Sequence, residues 1–344
     1  MIRRAGWTAA LAGTMACTQP APPVEDAGPR APEPSASHQG ASRQETRPSA
    51  APRADPPPAS AALREDPHQD PRAVELAEAP LVALRMGPGS HRGVFQGTLQ
   101  GARTGKPVRV VLAFAGLPRA YRRAVAFYRL AHALGITIVP PTAPRRIGFG
   151  ELGELLERQR AALSLVRLHA AVENDGTVEA AITPATTGRE VALNSFEPVA
   201  WARWAQGASP AADEDGRMLK AYVEMLVLDY LAAYGHRRAA RVDDTSRTLL
   251  LTDNTAAFPQ HTEAMALDRI LRELKAVQRF PRGLRAALAR FDRAAAARAL
   301  SPGGFDTWLI PPRAMVELDE RRAGLLTLID ARVTERGEGA VLSL

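Results

Sequence analysis

The apolar positions in the first part of the folded chain come in short runs separated by glycine-bearing turns. Runs at residues 81–86, 94–99 and 108–114 predict three β-strands. The third run is continuously apolar after Arg109, which predicts a strand buried on both faces. Apolar residues from 124 to 134 then recur at spacings of three and four, which predicts an α-helix that ends at Gly135.

Two further strand signals follow this helix. A short apolar run at 136–139 stops at two prolines and predicts another strand. The segments 163–172 and 178–182 flank an Asn-Asp-Gly turn at 174–176, a strong hairpin signal, and predict two antiparallel strands. We therefore expect the first half to be a mainly antiparallel sheet that carries one prominent helix.

The second half of the chain has a helical pattern, and only residues 248–251 predict a strand. The predicted helices are 218–234, 263–277, 281–291 and 314–333. A sheet-rich lobe at 81–196 followed by a helix-rich lobe at 197–344 is an α+β architecture. Ligands usually bind in the cleft between two such lobes.

The first seventeen residues have the layout of an export signal. Two arginines precede an apolar stretch that ends at Cys17. This stretch resembles a bacterial lipoprotein signal peptide, whose cysteine is acylated after cleavage; the alternative is a plain secretory peptide with an incidental cysteine. We therefore expect an exported protein that is anchored through an acylated Cys17 in the bacterial cell envelope, at the periplasmic face of the outer membrane or at the cell surface.

Residues 18–80 have the composition of a disordered stalk. They contain no Phe, Trp or Tyr and hold 14 of the 28 prolines. Such a segment buries too little apolar surface to offset the entropy lost on ordering. Because Pro-rich chain is stiff, the segment would hold a folded domain away from its membrane anchor.

Composition and charge narrow the functional classes. The 344 residues, 46% of them hydrophobic, suffice for one large domain or two small ones. After the first twenty positions no apolar run is long enough for a membrane-spanning helix. A single cysteine excludes a disulfide framework and a zinc site built on several thiolates. The net charge of +7 comes almost wholly from arginines spread along the chain, so we expect no nucleic-acid partner.

Four stretches resemble the atypical kinase fold of the secretory-pathway kinases, the HipA-like enzymes and the phosphoinositide-kinase-like enzymes. The glycine-bearing turn at 87–97, which includes Gly89, resembles the loop that covers the phosphates of ATP. Residues 112–116 are similar to the strand that in the family ends in Phe-Lys-Pro. Residues 123–142 are similar to the family's helix and its exit, and residues 228–258 to its catalytic loop and its Asp-Asn-Gly turn.

The resemblance covers residues 81–344 and implies a bilobal kinase-like domain, with an antiparallel-sheet N-lobe and a helical C-lobe. Phosphoryl transfer in such a domain uses a strand lysine on the phosphates and a helix glutamate that holds the lysine. The similarity places Ala115 at the lysine and Ala124 at the glutamate. Loss of one member of a buried ion pair leaves the other charge unpaired, whereas loss of both does not, so this paired loss is what release from catalysis would produce.

The catalytic loop departs from the family as well. His236 stands at the catalytic aspartate, Tyr234 replaces an asparagine two positions earlier, and Arg237 keeps the family identity. Arg241 falls at the metal-binding asparagine, where a guanidinium would repel a divalent cation. Asp253 is the remaining candidate metal ligand, and one carboxylate is a poor Mg²⁺ site without the phosphates of a nucleotide.

Several of these residues have simpler interpretations. His236 could act as a general base, because imidazole accepts a proton near neutral pH, or it could be a solvated loop residue. Lys106 and Arg109 are cations that could replace the missing lysine, and an exposed surface position is the alternative for each. Asp253 could bind a metal or cap the turn after its strand.

Three functions stay open from the sequence. The first is a membrane-anchored, exported pseudokinase that has lost phosphotransfer and serves as a binding or regulatory module for an envelope protein. The second is a divergent phosphotransferase that uses ATP with Mg²⁺ or Mn²⁺ and has Asp253 as its metal ligand. The third is an envelope structural head that binds no ligand. The altered site favours the first, and the residues that would contact a nucleotide are Gly89, Arg237, Asp253 and Asn254.

Overall fold

The computed structural model describes residues 70–87, 93–101, 105–114, 120–170, 172–193, 200–207, 216–243, 245–301 and 309–344. All of them belong to a compact unit at 58–344, and a second unit, 1–57, lies outside the described residues. Cys17, Gly89, Ala115 and the predicted lobe boundary at 196 also lie outside them.

The described residues form helices and strands in two regions. The helices are α1 (Pro71–Glu78), α2 (Ala120–Ala133), α3 (Phe149–Leu155), α4 (Arg160–His169), α5 (Ala200–Ala205), α6 (Gly216–Leu231), α7 (Ala264–Ala276), α8 (Leu284–Arg290), α9 (Arg293–Ala299), α10 (Pro312–Arg336) and α11 (Glu338–Val341). The strands are β1 (Leu81–Arg85), β2 (Val94–Gln100), β3 (Pro107–Ala113), β4 (Ala143–Gly148), β5 (Thr177–Pro184), β6 (Arg189–Ala192), β7 (Ala239–Asp243) and β8 (Thr248–Leu250). None of the described helices is both long and apolar enough to cross a bilayer.

The first five strands form one antiparallel sheet in the order β1-β2-β3-β5-β4. One face is core: Phe95, Val110, Leu112 and Ile182 are fully buried. The other face is half-open, because the alternate residues of β2 and β3 are only partly buried or exposed. The prediction that the third strand is buried on both faces is therefore wrong. The second face of β3 is apolar after Arg109 but remains partly accessible to solvent.

Helix α1 packs against the sheet, although its composition belongs with the predicted stalk. Asp70 caps its first turn by accepting a hydrogen bond from the backbone N–H of Arg72 at 2.9 Å. Leu76 is buried in the core. The buried Arg145 of β4 donates to three carbonyls at the end of the helix, at 3.1, 3.1 and 2.6 Å. Tertiary contacts therefore order the last residues before β1.

Two predicted strands are absent from the described N-lobe. Residues 136–139 form a short connection in which the carbonyl of Ile138 accepts from the N–H of Leu251 at 2.9 Å. Residues 160–169 are helix α4, whose buried Ala162 and Val166 are four apart. The predicted turn before β5 does form, with Gly176 at φ 75°, but β5 pairs with β3 and β4, and only one isolated bridge, from Val172 to Val178, crosses the turn. The hairpin signal located the turn and not the strand before it.

The C-lobe is built around α6, of which twelve residues are buried. Helices α7 and α10 pack against α6. β7 and β8 lie in this region and form a second antiparallel sheet with β6, which comes before the predicted lobe boundary, so residues 248–251 are not the single strand of the second half as predicted. β7 was missed because it alternates small and charged residues with only Val242 as a strong strand former.

The outer edge of β1 is covered by a side chain. The amide of Gln159 donates to the carbonyl of Leu84 at 3.0 Å and accepts from the N–H of Met86 at 3.3 Å. The side chain thus satisfies two of the backbone groups that a neighbouring strand could bind.

Candidate functional site

The turn after β8 exposes the carboxylate of Asp253. Asn254 is buried beside it, and its side-chain amide donates to the carbonyl of Leu251 at 2.8 Å. The hydroxyl of Thr255 donates to Oδ1 of Asp253 at 3.0 Å. The turn therefore holds Asn254 inward and leaves the Asp253 carboxylate accessible, which is compatible with a metal ligand and equally with a cap of the turn.

Arg237 lies under this turn and is nearly fully buried. Its guanidinium makes three hydrogen bonds to the carboxylate of Asp229 on α6, at 3.0, 2.8 and 2.8 Å. It also donates to Oδ1 of Asn254 at 3.0 Å and to the carbonyl of Asp253 at 3.5 Å. Burial alone would lower the pKa of Arg237, but Asp229 raises it above its ordinary value. The structure thus brings Arg237, Asp253 and Asn254 together, and the guanidinium serves to clamp the loop.

Tyr234 connects this loop to α2. Its hydroxyl donates to the carbonyl of Asp253 at 2.9 Å. Its ring lies 4.2 Å from the Arg237 guanidinium and meets the ring of Phe127 edge-on at 6.3 Å. Burial raises the pKa of Tyr234 to about 12, so the hydroxyl remains a donor at physiological pH. One face of α2 therefore packs on Tyr234, which in turn bonds the backbone of Asp253.

His236, at the predicted place of the catalytic aspartate, lies on the surface. Its side chain is 61% exposed, and Nε2 is 2.8 Å from Oε2 of Glu263, the residue before α7. Arg241, at the predicted place of the metal-binding asparagine, lies on β7. It donates to the carbonyl of Gly188 at 3.3 Å and lies 4.0 Å from the Glu190 carboxylate. Both side chains are engaged with other surface groups.

The half-open face of the first sheet is the face turned toward α2. Strand register puts Glu179, Ala181 and Ala113 on one face, and Glu179 is bonded by α2. We call this the cleft face; its partly buried residues are Val94, Gln96, Thr98, Val111, Ala113 and Thr183. They carry no charge. Arg109 belongs to the same face but is exposed at the far end of β3.

A buried charge pair joins the sheet to α2 with the sign opposite to that of the kinases it resembles. Glu179 on β5 accepts from Nε of Arg122 at 3.0 Å and from Nη2 at 2.5 Å. The Tyr121 hydroxyl donates to the same carboxylate oxygen. Here the strand supplies the carboxylate and the helix the cation. Ala124, at the predicted place of the helix glutamate, is buried on this helix.

Arg123, the next residue on α2, has an unbalanced charge that the sequence did not indicate. It is half-buried, and burial lowers its pKa. Within the described ranges, no carboxylate and no hydrogen-bond acceptor contacts its guanidinium. The available signal was its spacing of four from Phe127, which puts the two side chains on one face of the helix.

The described residues do not form a divalent-metal site of their own. In those ranges no group of three or more His, Cys, Asp or Glu side chains is close enough to hold an ion. Asp253 therefore belongs to no cluster of three such ligands in the described residues, and Mg²⁺ or Mn²⁺ bound there would depend on ligand phosphates for most of its oxygens. The divalent metal implied by the resemblance therefore does not fit the described protein side chains alone.

A separate cavity of about 320 Å³ lies at the end of α2, between α6 and α8. It is lined by the buried Glu224, by Lys220, and by Arg282 and Arg290. Burial raises the pKa of the Glu224 carboxyl to about 7, against the opposing effect of Lys220 at 3.7 Å. The cavity does not include Asp253 or any residue of its turn.

The fold was compared with known proteins. The sequence matches no family model and no curated protein. The Golgi casein kinase with Mn and ADP bound superposes with a TM-score of 0.57 and 15% identity, over 79% of this chain and 77% of that chain. Hydra Fam20 with sugar superposes with a TM-score of 0.53 and 12% identity, over 78% and 90%. Such identities show the fold alone: the chain has the atypical kinase-like fold of these secretory-pathway proteins.

Proposed function

We propose that this chain is a kinase-like domain that does not transfer phosphate and acts as a binding or regulatory module. The observation that carries the proposal is the position of the three lysines of the chain. Lys106 lies at the end of β3 away from α2, about 20 Å from the far end of that strand. Lys220 and Lys275 lie in α6 and α7. None is on the cleft face, where a lysine would have to meet the phosphates.

The catalytic loop supports the same proposal. The Golgi casein kinase structure holds Mn and ADP, so a cleft of this fold can accept a nucleotide and a metal. In this chain the aspartate position carries His236, whose imidazole is paired with Glu263 on the surface. The carboxylate of Asp229 is bound by Arg237 inside the core and does not reach the site. Asp253 is left as the exposed carboxylate of the site. The catalytic aspartate and the strand lysine that phosphotransfer needs are both replaced.

A phosphotransfer assay tests this proposal. The purified full chain is incubated with radiolabelled ATP and Mg²⁺ or Mn²⁺, alone and with an acidic protein substrate such as casein. We expect no transfer above that of an Asp253→Ala variant. Incorporation that the Asp253→Ala variant lacks would instead identify a divergent phosphotransferase with a metal at Asp253.

We also propose that the domain is held at a membrane of the bacterial envelope through an acylated Cys17, where it binds an envelope protein. The support is the apolar stretch before the cysteine and the Pro-rich segment after it. Expression of the full chain with labelled palmitate should give a labelled protein in the membrane fraction. A Cys17→Ser variant should lose the label and leave that fraction, and an unlabelled wild-type chain would contradict the proposal.

A further inference from the structure

The face of α2 that packs on Tyr234, whose hydroxyl bonds the Asp253 carbonyl, also carries Arg123. Phe127 contacts Tyr234 and lies 5.3 Å from the Arg237 guanidinium. Arg123 precedes Phe127 by one helical turn and so shares this face. Tyr121 and Arg122, by contrast, contact Glu179 on the sheet. Arg123 therefore lies on the side of α2 that packs on Tyr234 and Arg237, away from Glu179.

The charge of Arg123 is not balanced within the described protein. Its guanidinium is half-buried, and no described acceptor or carboxylate compensates it. The neighbouring Arg237 is neutralised by Asp229, and Arg122 by Glu179. A partly desolvated cation without a counter-charge is unfavourable, so this position favours a bound anion. Arg109 on the cleft face is exposed, so water solvates its charge and it needs no bound anion.

The sign of the helix charge also changes what the cleft can bind. A helix carboxylate repels phosphate directly and helps only by holding a strand lysine. Here the cleft face carries no lysine, and the helix presents a guanidinium next to Ala124. A guanidinium donates two parallel N–H bonds to phosphate oxygens, and it supplies its charge without a metal.

We propose that Arg123 binds a phosphate group in the cleft without a divalent metal, so that the cation missing from β3 is supplied by α2. The ligand class is a polyphosphate or a nucleotide phosphate. This inference rests on the proposed function. Phosphotransfer requires a metal on the phosphates, whereas a nucleotide held by Arg123 would have a guanidinium there instead.

Binding in the absence of metal tests the inference. The full chain is titrated calorimetrically with ATP and, separately, with inorganic tripolyphosphate, both in EDTA. We expect both probes to bind, and Arg123→Met to weaken both roughly 10- to 100-fold. Arg123→Lys should retain part of the affinity because it keeps the charge. Arg160→Met, an exposed arginine on α4, is the matched control and should bind like the wild type. If ATP binds and tripolyphosphate does not, the phosphate site works only with a nucleoside, and the Arg123→Met effect on ATP still decides the inference.

Three results would overturn it: no binding of either probe in EDTA, equal affinity in the wild type and Arg123→Met, or binding that needs Mg²⁺ or Mn²⁺ and is lost in Asp253→Ala. Unfolding of Arg123→Met is checked by its thermal transition, and Arg123→Gln replaces it if it does not fold. If the Arg123 inference fails, the proposal that the domain does not transfer phosphate still stands. Phosphotransfer in the preceding assay would reject the proposed function, and metal-free binding would remain to be judged by Arg123→Met.

Discussion

The two lobes each bury an arginine on a carboxylate, and they do so with different geometry. In the C-lobe, both oxygens of Asp229 accept from Arg237, which also bonds Asn254. In the N-lobe, one oxygen of Glu179 accepts every hydrogen bond of the cluster. Its other oxygen is buried without a hydrogen bond in the described structure, with an Arg146 nitrogen 3.6 Å away.

The difference separates two ways of holding a kinase-like cleft together. The C-lobe pair is bidentate and closes one loop on one helix, which makes its geometry specific. The N-lobe carboxylate is shared by cations from α2 and β4 and ties three elements together. Both pairs are desolvated, so removing one partner from either leaves a buried charge.

The largest effect is expected when Asp229 is lost. Asp229→Ala leaves Arg237 buried without a counter-charge and should lower the free energy of unfolding by about 3–5 kcal/mol. Urea denaturation measures it. The control is Asp330→Ala, which breaks the exposed pair with Arg285 and should cost less than about 1 kcal/mol. Equal costs for the two variants would mean that Arg237 finds another partner.

A smaller effect is expected at Glu179. Glu179→Gln keeps the shape and one acceptor oxygen for Tyr121 and Arg122 but removes the charge. We expect a loss of about 2–3 kcal/mol in the same denaturation experiment. A double-mutant cycle with Arg122→Met should give a coupling energy above about 1 kcal/mol. Additive effects would show that Arg146 and not Arg122 balances the charge.

A third buried carboxylate, Glu224, is ion-paired with Lys220 and not bound by an arginine in the described structure, and it should respond to pH. Burial raises the pKa of its carboxyl from 4.5 to about 7, so the folded state favours the protonated form. The stability that this gives is complete below pH 4.5 and is lost as the pH rises through about 7.

Glu224→Gln stays neutral at every pH. It should match the wild type in unfolding free energy near pH 4 and exceed it by up to about 3 kcal/mol at pH 8. Denaturation at both values measures the difference. A variant that is equally or less stable at pH 8 would mean that Lys220 keeps Glu224 ionised in the folded protein.

The smallest effect is expected for the hydroxyl that joins Tyr234 to the Asp253 turn. Tyr234→Phe keeps the ring against Phe127 and Arg237 but leaves the Asp253 carbonyl without its 2.9 Å donor. A loss of about 1 kcal/mol is expected. Tyr222→Phe, which removes a longer 3.3 Å contact to Glu273, should cost less. A cost of zero for Tyr234→Phe would indicate that Arg237 alone holds the turn.

The elements with strong periodicity could be predicted from sequence, namely the first three strands, α2, α6, α7 and α10. Strand β4 could not, because half of it is Pro144, Arg145 and Arg146. Arg145 is tolerated in the core only because carbonyls of α1, more than sixty residues earlier, accept its hydrogen bonds. That contact leaves no trace in local pattern.

The two charge clusters differ in the same respect. Asp229, Arg237 and Asn254 lie in one short stretch of sequence, so a motif comparison places them together. Glu179 is 57 residues from Arg122, and nothing in the apolar run of β5 indicates a partner. Arg123 was readable in principle from its spacing to Phe127, but its lack of a counter-charge appears only once the fold is built.

The covered edge of β1 bears on how crowded this domain can become. A sheet edge with open backbone groups adds strands from neighbouring molecules and leads to aggregation. Here Gln159 occupies one carbonyl and one N–H of that edge. A Gln159→Ala variant reopens that edge, so the side chain would let many copies sit side by side at high local density without fibril growth.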